Sequence, residues 1–310
     1  MHIVSAENAM RLLDDLTLVE RLRRMFQTGC EVPLRHHHHI AGAGGGGTLL
    51  LMPAWRAEHH LGIKCVTVFP ANANHGLPSV IGLYLLLDAR TGAPLAQIDG
   101  VALTLRRTAA ASALASSYLS RPETSRLLMV GAGALAPHLI GAHAALRPIE
   151  RVDIWNRNPD KAARLAARLN RPGLAVRAAA DLRLAAERAD LISSATLSQS
   201  PLIHGDWLKP GTHLDLVGGF TPEMRETDDQ ALRRASIFVD TRQGAANEAG
   251  DIVDPLRRGV IAATDIRADL FELCRGQAGG RSRADEITLF KSVGTALEDL
   301  AAAELILERL

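Results

Sequence analysis

Cysteine is scarce in this chain, with three residues in 310, at positions 30, 65 and 274. An odd, widely scattered set has neither the even count of a disulfide framework nor the pair spacing of a zinc site, and it fits reduced thiols in a cytoplasm. A surplus of charge is missing too. The formal net charge is +1, which argues against a nucleic-acid or membrane surface. No apolar run approaches the roughly 20 residues of a membrane span. No basic segment followed by an apolar run reads as a secretory signal, and no internal repeat is visible. What is there is 47% hydrophobic residues over a length that suits two domains with ample core.

The chain is organised around Arg126-Leu127-Leu128-Met129-Val130-Gly131-Ala132-Gly133-Ala134-Leu135-Ala136. A short apolar run meets two glycines one residue apart, and a helical pattern follows through Leu139, Ile140 and Leu146. This is the strand–turn–helix context of a dinucleotide fingerprint. Gly131 permits the tight turn, and Gly133 lets backbone approach a pyrophosphate. Ala136 takes the third small position, where helix and strand pack closely. The helix N-terminus offers N–H groups to the phosphates, so Gly131, Ala132, Gly133, Ala134 and Leu135 are the candidate phosphate cradle. The richer glycine run Gly42–Gly47 precedes no helix, and it reads as a hairpin loop.

Ahead of the fingerprint, Ser5 is placed to cap a helix near 6–13. Thr17-Leu18-Val19-Glu20 reads as a capping box opening a second helix that ends at Gly29. Residues 32 to 99 look like several strands, with 62–70, 80–88 and 94–99 the clearest, and Asp88–Gly92 as turn chemistry. An alanine-rich helix over 105–119 leads to a crossing marked by Pro122. Beyond it, strands expected at 126–130, 151–155, 174–177, 190–194, 213–217 and 236–240 alternate with helices. That implies an α/β fold, a Rossmann doubly wound parallel sheet, beside an α+β domain. The domains are expected at 120–294, and at 1–119 with 295–310. The last helix carries Ala296, Leu300, Ala303, Leu307 and Leu310 as one apolar stripe.

The second strand of the nucleotide unit ends in Asn156-Arg157-Asn158 rather than in the Asp or Glu that an NAD enzyme offers to the ribose hydroxyls. Asp153 lies three residues too early. Arg157 offers a cation and a planar face to a 2′-phosphate. NADPH is therefore the expected cofactor, with NADH as the alternative.

Several stretches together resemble the ornithine cyclodeaminase/mu-crystallin family. They are Val32-Pro33-Leu34-Arg35, Met52-Pro53-Ala54, Gly62-Ile63-Lys64-Cys65-Val66, Asp99-Gly100 with Leu103–Ala110, Gly131-Ala132-Gly133, Val217–Glu226 and Thr288–Gly294. The resemblance implies a homodimer whose N-terminal domain, completed by the C-terminal helix, binds substrate and forms the dimer interface. It also carries over Arg35, Lys64 and Arg107 as substrate-binding cations, with Lys64 and Arg107 catalytic. Three cations with no acidic partner nearby in sequence suit a substrate carboxylate. A lysine in an apolar run has a pKa that its surroundings can lower, so it can donate a proton. Met52 and Phe220 are expected in the same pocket.

Departures from the cyclodeaminase branch point one way. Where that branch has a glutamate before Met-Pro and an aspartate after Val-Gly-Gly, this chain has Leu50 and Phe220. A second substrate ammonium would then lack a counterion. The resemblance therefore favours NAD(P)H-dependent reduction of a cyclic ketimine carboxylate. Δ1-Pyrroline-2-carboxylate to L-proline leads, and Δ1-piperideine-2-carboxylate to L-pipecolate follows. Ornithine cyclodeaminase is the alternative, and so is a non-catalytic protein that binds NADPH and a small ligand.

Ser194, Ala195 and Thr196 after one strand, Val217 and Gly218 after the next, and Ser292, Val293 and Gly294 at the expected start of the last helix are further candidate cofactor contacts. Ser112 and Ser116 lack a His–Asp partner and read as structural. Neighbouring side chains in His36–His39 would point to opposite faces of a strand, and no suitable carboxylate or thiol accompanies them. A histidine pair lining the pocket next to Arg35 is favoured over a metal site, exposed strand histidines are favoured over both, and no metal is expected.

Overall fold

The computed structural model describes residues 1–42 and 46–310, so the middle of the Gly42–Gly47 loop lies outside the described residues. In chain order the elements are β1 (His2–Val4), α1 (Ala6–Leu12), α2 (Asp15–Thr28), β2 (His36–Ile40), β3 (Gly47–Trp55), β4 (His60–Val68), β5 (Val80–Asp88), β6 (Pro94–Asp99) and α3 (Gly100–Leu119). Then come β7 (Arg126–Val130), α4 (Ala136–Leu146), β8 (Arg151–Trp155), α5 (Pro159–Leu169), β9 (Ala175–Ala178), α6 (Leu182–Arg188), β10 (Leu191–Ser194) and β11 (His213–Leu216). The rest are α7 (Asp229–Arg234), β12 (Ser236–Val239), α8 (Arg242–Glu248), α9 (Gly250–Arg257), β13 (Ile266–Asp269), α10 (Leu270–Cys274), β14 (Thr288–Lys291) and α11 (Ala296–Glu308). Two compact units result: unit 1 is 1–108 with 295–310, and unit 2 is 109–294. The division falls inside α3. Among the described residues no helix is long and apolar enough to cross a membrane.

Unit 1 holds a six-stranded sheet in the order β1-β6-β5-β4-β3-β2. Its strands pair antiparallel except for β1 with β6. Strand periodicity sorts its residues into two faces. Met52, Ala54, Gly62, Lys64, Tyr84, Leu86, Ala96 and Ile98 are buried on one. α11 lies against this sheet and against α2, whose Leu18, Leu22, Met25 and Phe26 form the apolar side.

Three local expectations need correction here. Asp14, not Thr17, caps α2, because its carboxylate accepts the Thr17 N–H at 3.0 Å. An acceptor one turn earlier starts the helix earlier. Likewise α3 begins at Gly100, not at 105, because Asp99 accepts the Ala102 N–H at 2.8 Å. α11 does not carry one apolar stripe. Every residue from Ala296 to Ile306 is buried, including Glu298, Asp299 and Glu304, since the helix has neighbours on all sides.

Unit 2 is an eight-stranded parallel sheet in the order β13-β12-β14-β11-β10-β7-β8-β9. The chain runs outward from β7 through β8 to β9, then resumes at β10 on the other side of β7. Ligands of such sheets bind at the carboxyl ends of strands around this switch point. β13 and β14 were not expected. Thr288–Lys291 is a strand paired with β11 and β12, and the last helix starts not at Ser292–Gly294 but at Ala296, because Thr295 caps it. On one side of the sheet Asp215 accepts from Ser112 at 2.9 Å and Ser193 at 2.7 Å, with His143 at 3.3 Å. Burial alone would raise its carboxyl, but its bonds to His143 and Ser193 hold it below the usual range. Ser112 is thus a structural donor.

Candidate active site

Unit 1 gathers charge where its sheet meets α11. Lys64 stands on the buried face of β4, opposite Met52 on β3 and Tyr84 on β5. Its Nζ lies 2.7 Å from Asp299 Oδ2. Arg107, from α3, donates Nε to Asp299 at 2.9 Å and a terminal nitrogen to Glu298 at 2.6 Å. No acidic partner lies near these cations in sequence, but two meet Lys64 and Arg107 in space. Both acids come from α11, 191 and 192 residues beyond Arg107. A buried cation needs a counterion, and here the fold supplies it from a distant helix.

The electrostatics of the cluster follow from burial and neighbours. Burial pushes the Lys64 ammonium down to about 8; Asp299 opposes the fall, and the charges of Arg107 and Arg35 add to it. Burial would lower Arg107 as well, but Asp299 and Glu298 outweigh it and hold the guanidinium above its ordinary value. Arg35 is half-buried just ahead of β2.

Unit 2 offers a phosphate cradle. Gly131 has φ 108°, and a Cβ there would come within 2.6 Å of the Ala195 carbonyl oxygen. Only glycine fits that position. A Cβ at Gly133 would meet nothing within 4 Å, and Gly133 and Ala134 are exposed at the mouth of α4. These residues fit a dinucleotide pyrophosphate at a helix N-terminus. Asn156 accepts the Ala132 N–H at 3.2 Å and donates to the Asn158 carbonyl at 2.9 Å, and Asn158 caps α5. Arg157 stands exposed between them. Asp153 is held by Arg177 and is no ribose ligand.

The other candidates divide. Ser194 is fully buried and donates its hydroxyl to Glu226 at 2.7 Å, so its side chain is corrected from cofactor contact to loop anchor. Glu226 also accepts from the Thr196 hydroxyl and N–H at 2.8 Å and from the Gly218 N–H at 2.7 Å. It thereby ties together the loops that follow β10 and β11. Ala195 and Thr196 stay half-buried, whereas Val217 and Gly218 are buried. Asp240 accepts the Val293 and Gly294 N–H groups at 2.8 and 2.7 Å. Lys291, fully buried, lies 3.3 Å from Asp251. Phe220 is 50% exposed, so it is not a core residue. His36–His39 lie exposed on edge strand β2, and no group of His, Cys, Asp or Glu able to hold a metal exists among the described residues.

Sequence reasoning missed Glu298, Asp299, Glu226, Asp240, Asp251 and Lys291. The available signal was a charge set in an otherwise apolar run, as in Thr288-Leu289-Phe290-Lys291 and in the Ala-rich α11.

Comparison with known proteins agrees with this geometry. A model described as the ornithine cyclodeaminase/mu-crystallin family matches residues 2–310. The Δ1-pyrroline-2-carboxylate reductase of Paracoccus denitrificans is 42% identical over 82% of this chain and 80% of its own. The enzyme of that name from Colwellia psychrerythraea is 36% identical over 100% of this chain and 99% of its own. Among solved structures, Thermococcus litoralis Δ1-pyrroline-2-carboxylate reductase in complex with NADH and L-proline is 35% identical, with TM-score 0.93 over 100% of this chain and 97% of that one.

Proposed function

The chain belongs to the ornithine cyclodeaminase/mu-crystallin family, and from that premise we propose that it reduces a cyclic ketimine carboxylate with a nicotinamide cofactor, Δ1-pyrroline-2-carboxylate to L-proline being the leading reaction. The observation that carries this reading is the buried Lys64–Arg107–Asp299–Glu298 cluster, in which an ammonium and a guanidinium share Asp299 and stand together for a substrate carboxylate and imine. Relatives named for this reaction, at 36–42% identity, support it. Arg107 and Arg35 hold the carboxylate, and Met52 lines the same buried face. Lys64 protonates the imine nitrogen, which makes the adjacent carbon electrophilic. The nicotinamide, when bound, supplies the hydride. Δ1-Piperideine-2-carboxylate is the second substrate proposed.

The test is a decrease of absorbance at the nicotinamide band with either synthetic imine and NADPH or NADH. No oxidation with either ring size would sink the proposal. Ammonia released from L-ornithine with catalytic NAD would move the protein to the cyclodeaminases, against which Leu50 and Phe220 stand. Phe220 is proposed as an apolar wall of the pocket. Phe220→Asp is expected to fold, since the ring is half exposed, to keep cofactor affinity, and to lose about tenfold in kcat/KM, about 1.4 kcal/mol. Undiminished reduction by this variant would remove Phe220 from the pocket.

NADPH is proposed over NADH because Arg157, not a carboxylate, stands after β8. Arg157→Ala should weaken NADPH roughly tenfold (about 1.4 kcal/mol) and leave NADH unchanged in a fluorescence titration. Equal losses for both cofactors would refute the preference.

A homodimer is proposed through the outer face of the unit 1 sheet. In register there, Leu51 pairs with Cys65 and Cys65 with Leu83, while Leu49 pairs with Thr67 and Thr67 with Ile81. Leu83 is 41% and Ile81 45% exposed. Such a contiguous apolar face marks an interface. Leu83→Arg should give a monomer by light scattering, and a dimer that survives it would place the interface elsewhere.

A further inference from the structure

Lys64 is sealed from solvent at 3% exposure, yet the proposed reaction consumes protons. Hydride and one proton convert C=N to CH–NH, and the more basic product amine takes a second proton. Lys64 ends each turnover neutral and must be recharged. We propose that Tyr84, Glu304 and His60 form a relay that returns a proton from solvent to Lys64. The relay rests on the reduction proposed above, and its residues act through Lys64 without touching substrate.

Two parallel rails carry it. Along β4, the alternating residues His60, Gly62 and Lys64 share one face, about 13 Å from end to end. α11 lies against that strand and sets an acid at each end. Asp299 meets Lys64 at 2.7 Å, and Glu304 meets His60 Nδ1 at 3.0 Å. Between the two ion pairs stands the Tyr84 hydroxyl. A Cβ at residue 62 would lie 1.8 Å from it, so glycine at 62 is what lets the hydroxyl reach the midpoint of the file.

The Tyr84 ring is wholly buried, and among the described residues its hydroxyl has no hydrogen-bond partner. A hydroxyl can accept one proton and pass on another without ionising. That suits Tyr84, since burial first, and then Asp299 and Glu304, hold its pKa well above the ordinary value. In the proposed relay a water carries the proton between the hydroxyl and each of the two acids. At the outer end the His60 side chain is 28% exposed, and Arg56 holds Glu304 at 2.7 and 2.9 Å.

The test uses the full chain and two variants. In a bulky, dilute buffer His60→Ala should lose roughly tenfold in kcat with KM unchanged, and added imidazole should restore it. Tyr84→Phe should lose as much, without rescue, because the break is internal, and its melting temperature should not fall. An activity-independent readout comes from the four lysines of the chain. With lysine labelled by nitrogen-15, exchange of the Lys64 ammonium protons with water should slow in both variants of the cofactor-free protein. Wild-type kcat and wild-type exchange in either variant, or a His60→Ala loss that ignores imidazole, would overturn the relay. If the wild-type protein reduces neither imine, the proposed function fails, and the exchange rates alone then decide the relay.

Discussion

Lys64→Met is expected to lose about 10³-fold in kcat/KM for imine reduction, about 4 kcal/mol of barrier, with nicotinamide binding retained. The side chain keeps its length and its apolar surroundings, and only the proton and the charge disappear. Arg107 stays to hold Asp299, so the fold survives. The pH profile gives the second reading. Lys64 acts in its protonated form, and burial has brought it to about 8. Activity should therefore be full below that value and fall as pH rises through it. Asp299 raises the Lys64 pKa, so Asp299→Asn must move the alkaline limb to lower pH. A limb that stays in place in that variant, or Lys64→Met with near wild-type rate, would remove Lys64 as the proton donor.

Arg107→Met is expected to lower folding stability by about 3–5 kcal/mol, the usual consequence of taking one partner from a buried ion pair. Here one guanidinium serves two acids, Glu298 and Asp299. Without it Asp299 keeps only Lys64, so burial acts on its carboxyl with less opposition and favours the protonated form in the folded state. The folded variant then binds more protons than the unfolded one, so its stability should rise as pH falls. The wild-type protein, whose Asp299 carboxyl is held low against burial by Arg107 and Lys64, should show the opposite slope from this group. Urea unfolding at two pH values reads both effects. A variant as stable as wild type at neutral pH would mean that the two acids do not depend on Arg107.

The nucleotide half was legible in the sequence because its signals are local. A strand, two glycines and a helix within Arg126–Leu146 are fixed by turn sterics and periodicity, and the family stretches singled out Lys64 and Arg107, which the fold brings together on Asp299. What could not be read were relations at long range. Nothing near Lys64 or Arg107 announces that their counterions sit on the last helix, and helical periodicity describes α11 as a stripe because it is blind to how many neighbours surround it. β13 and β14 are four-residue strands, and β14 is buried throughout, so alternation gives no signal there. The cap of α2 was displaced because Asp14 and Thr17 both satisfy the local pattern, and only the geometry of the turn chooses between them. Ser194 was placed at the right strand end, but which side of the loop its hydroxyl serves depends on Glu226, 32 residues away.

The position of α11 has a consequence for the order of folding during synthesis. Lys64 and Arg107 leave the ribosome before any residue of unit 2, while Glu298 and Asp299 follow only after the whole of it. For that interval the strands of unit 1 carry two cations on the face that should become core, with no acid to meet them and no helix to cover the sheet. Closing that face early would bury unpaired charge. Domains made first commonly fold first, but for this one the unpaired lysine and arginine oppose early closure. Unit 2, contiguous in sequence, is free to fold ahead of it. The charges proposed to bind substrate would thus act earlier as a brake, released when α11 arrives.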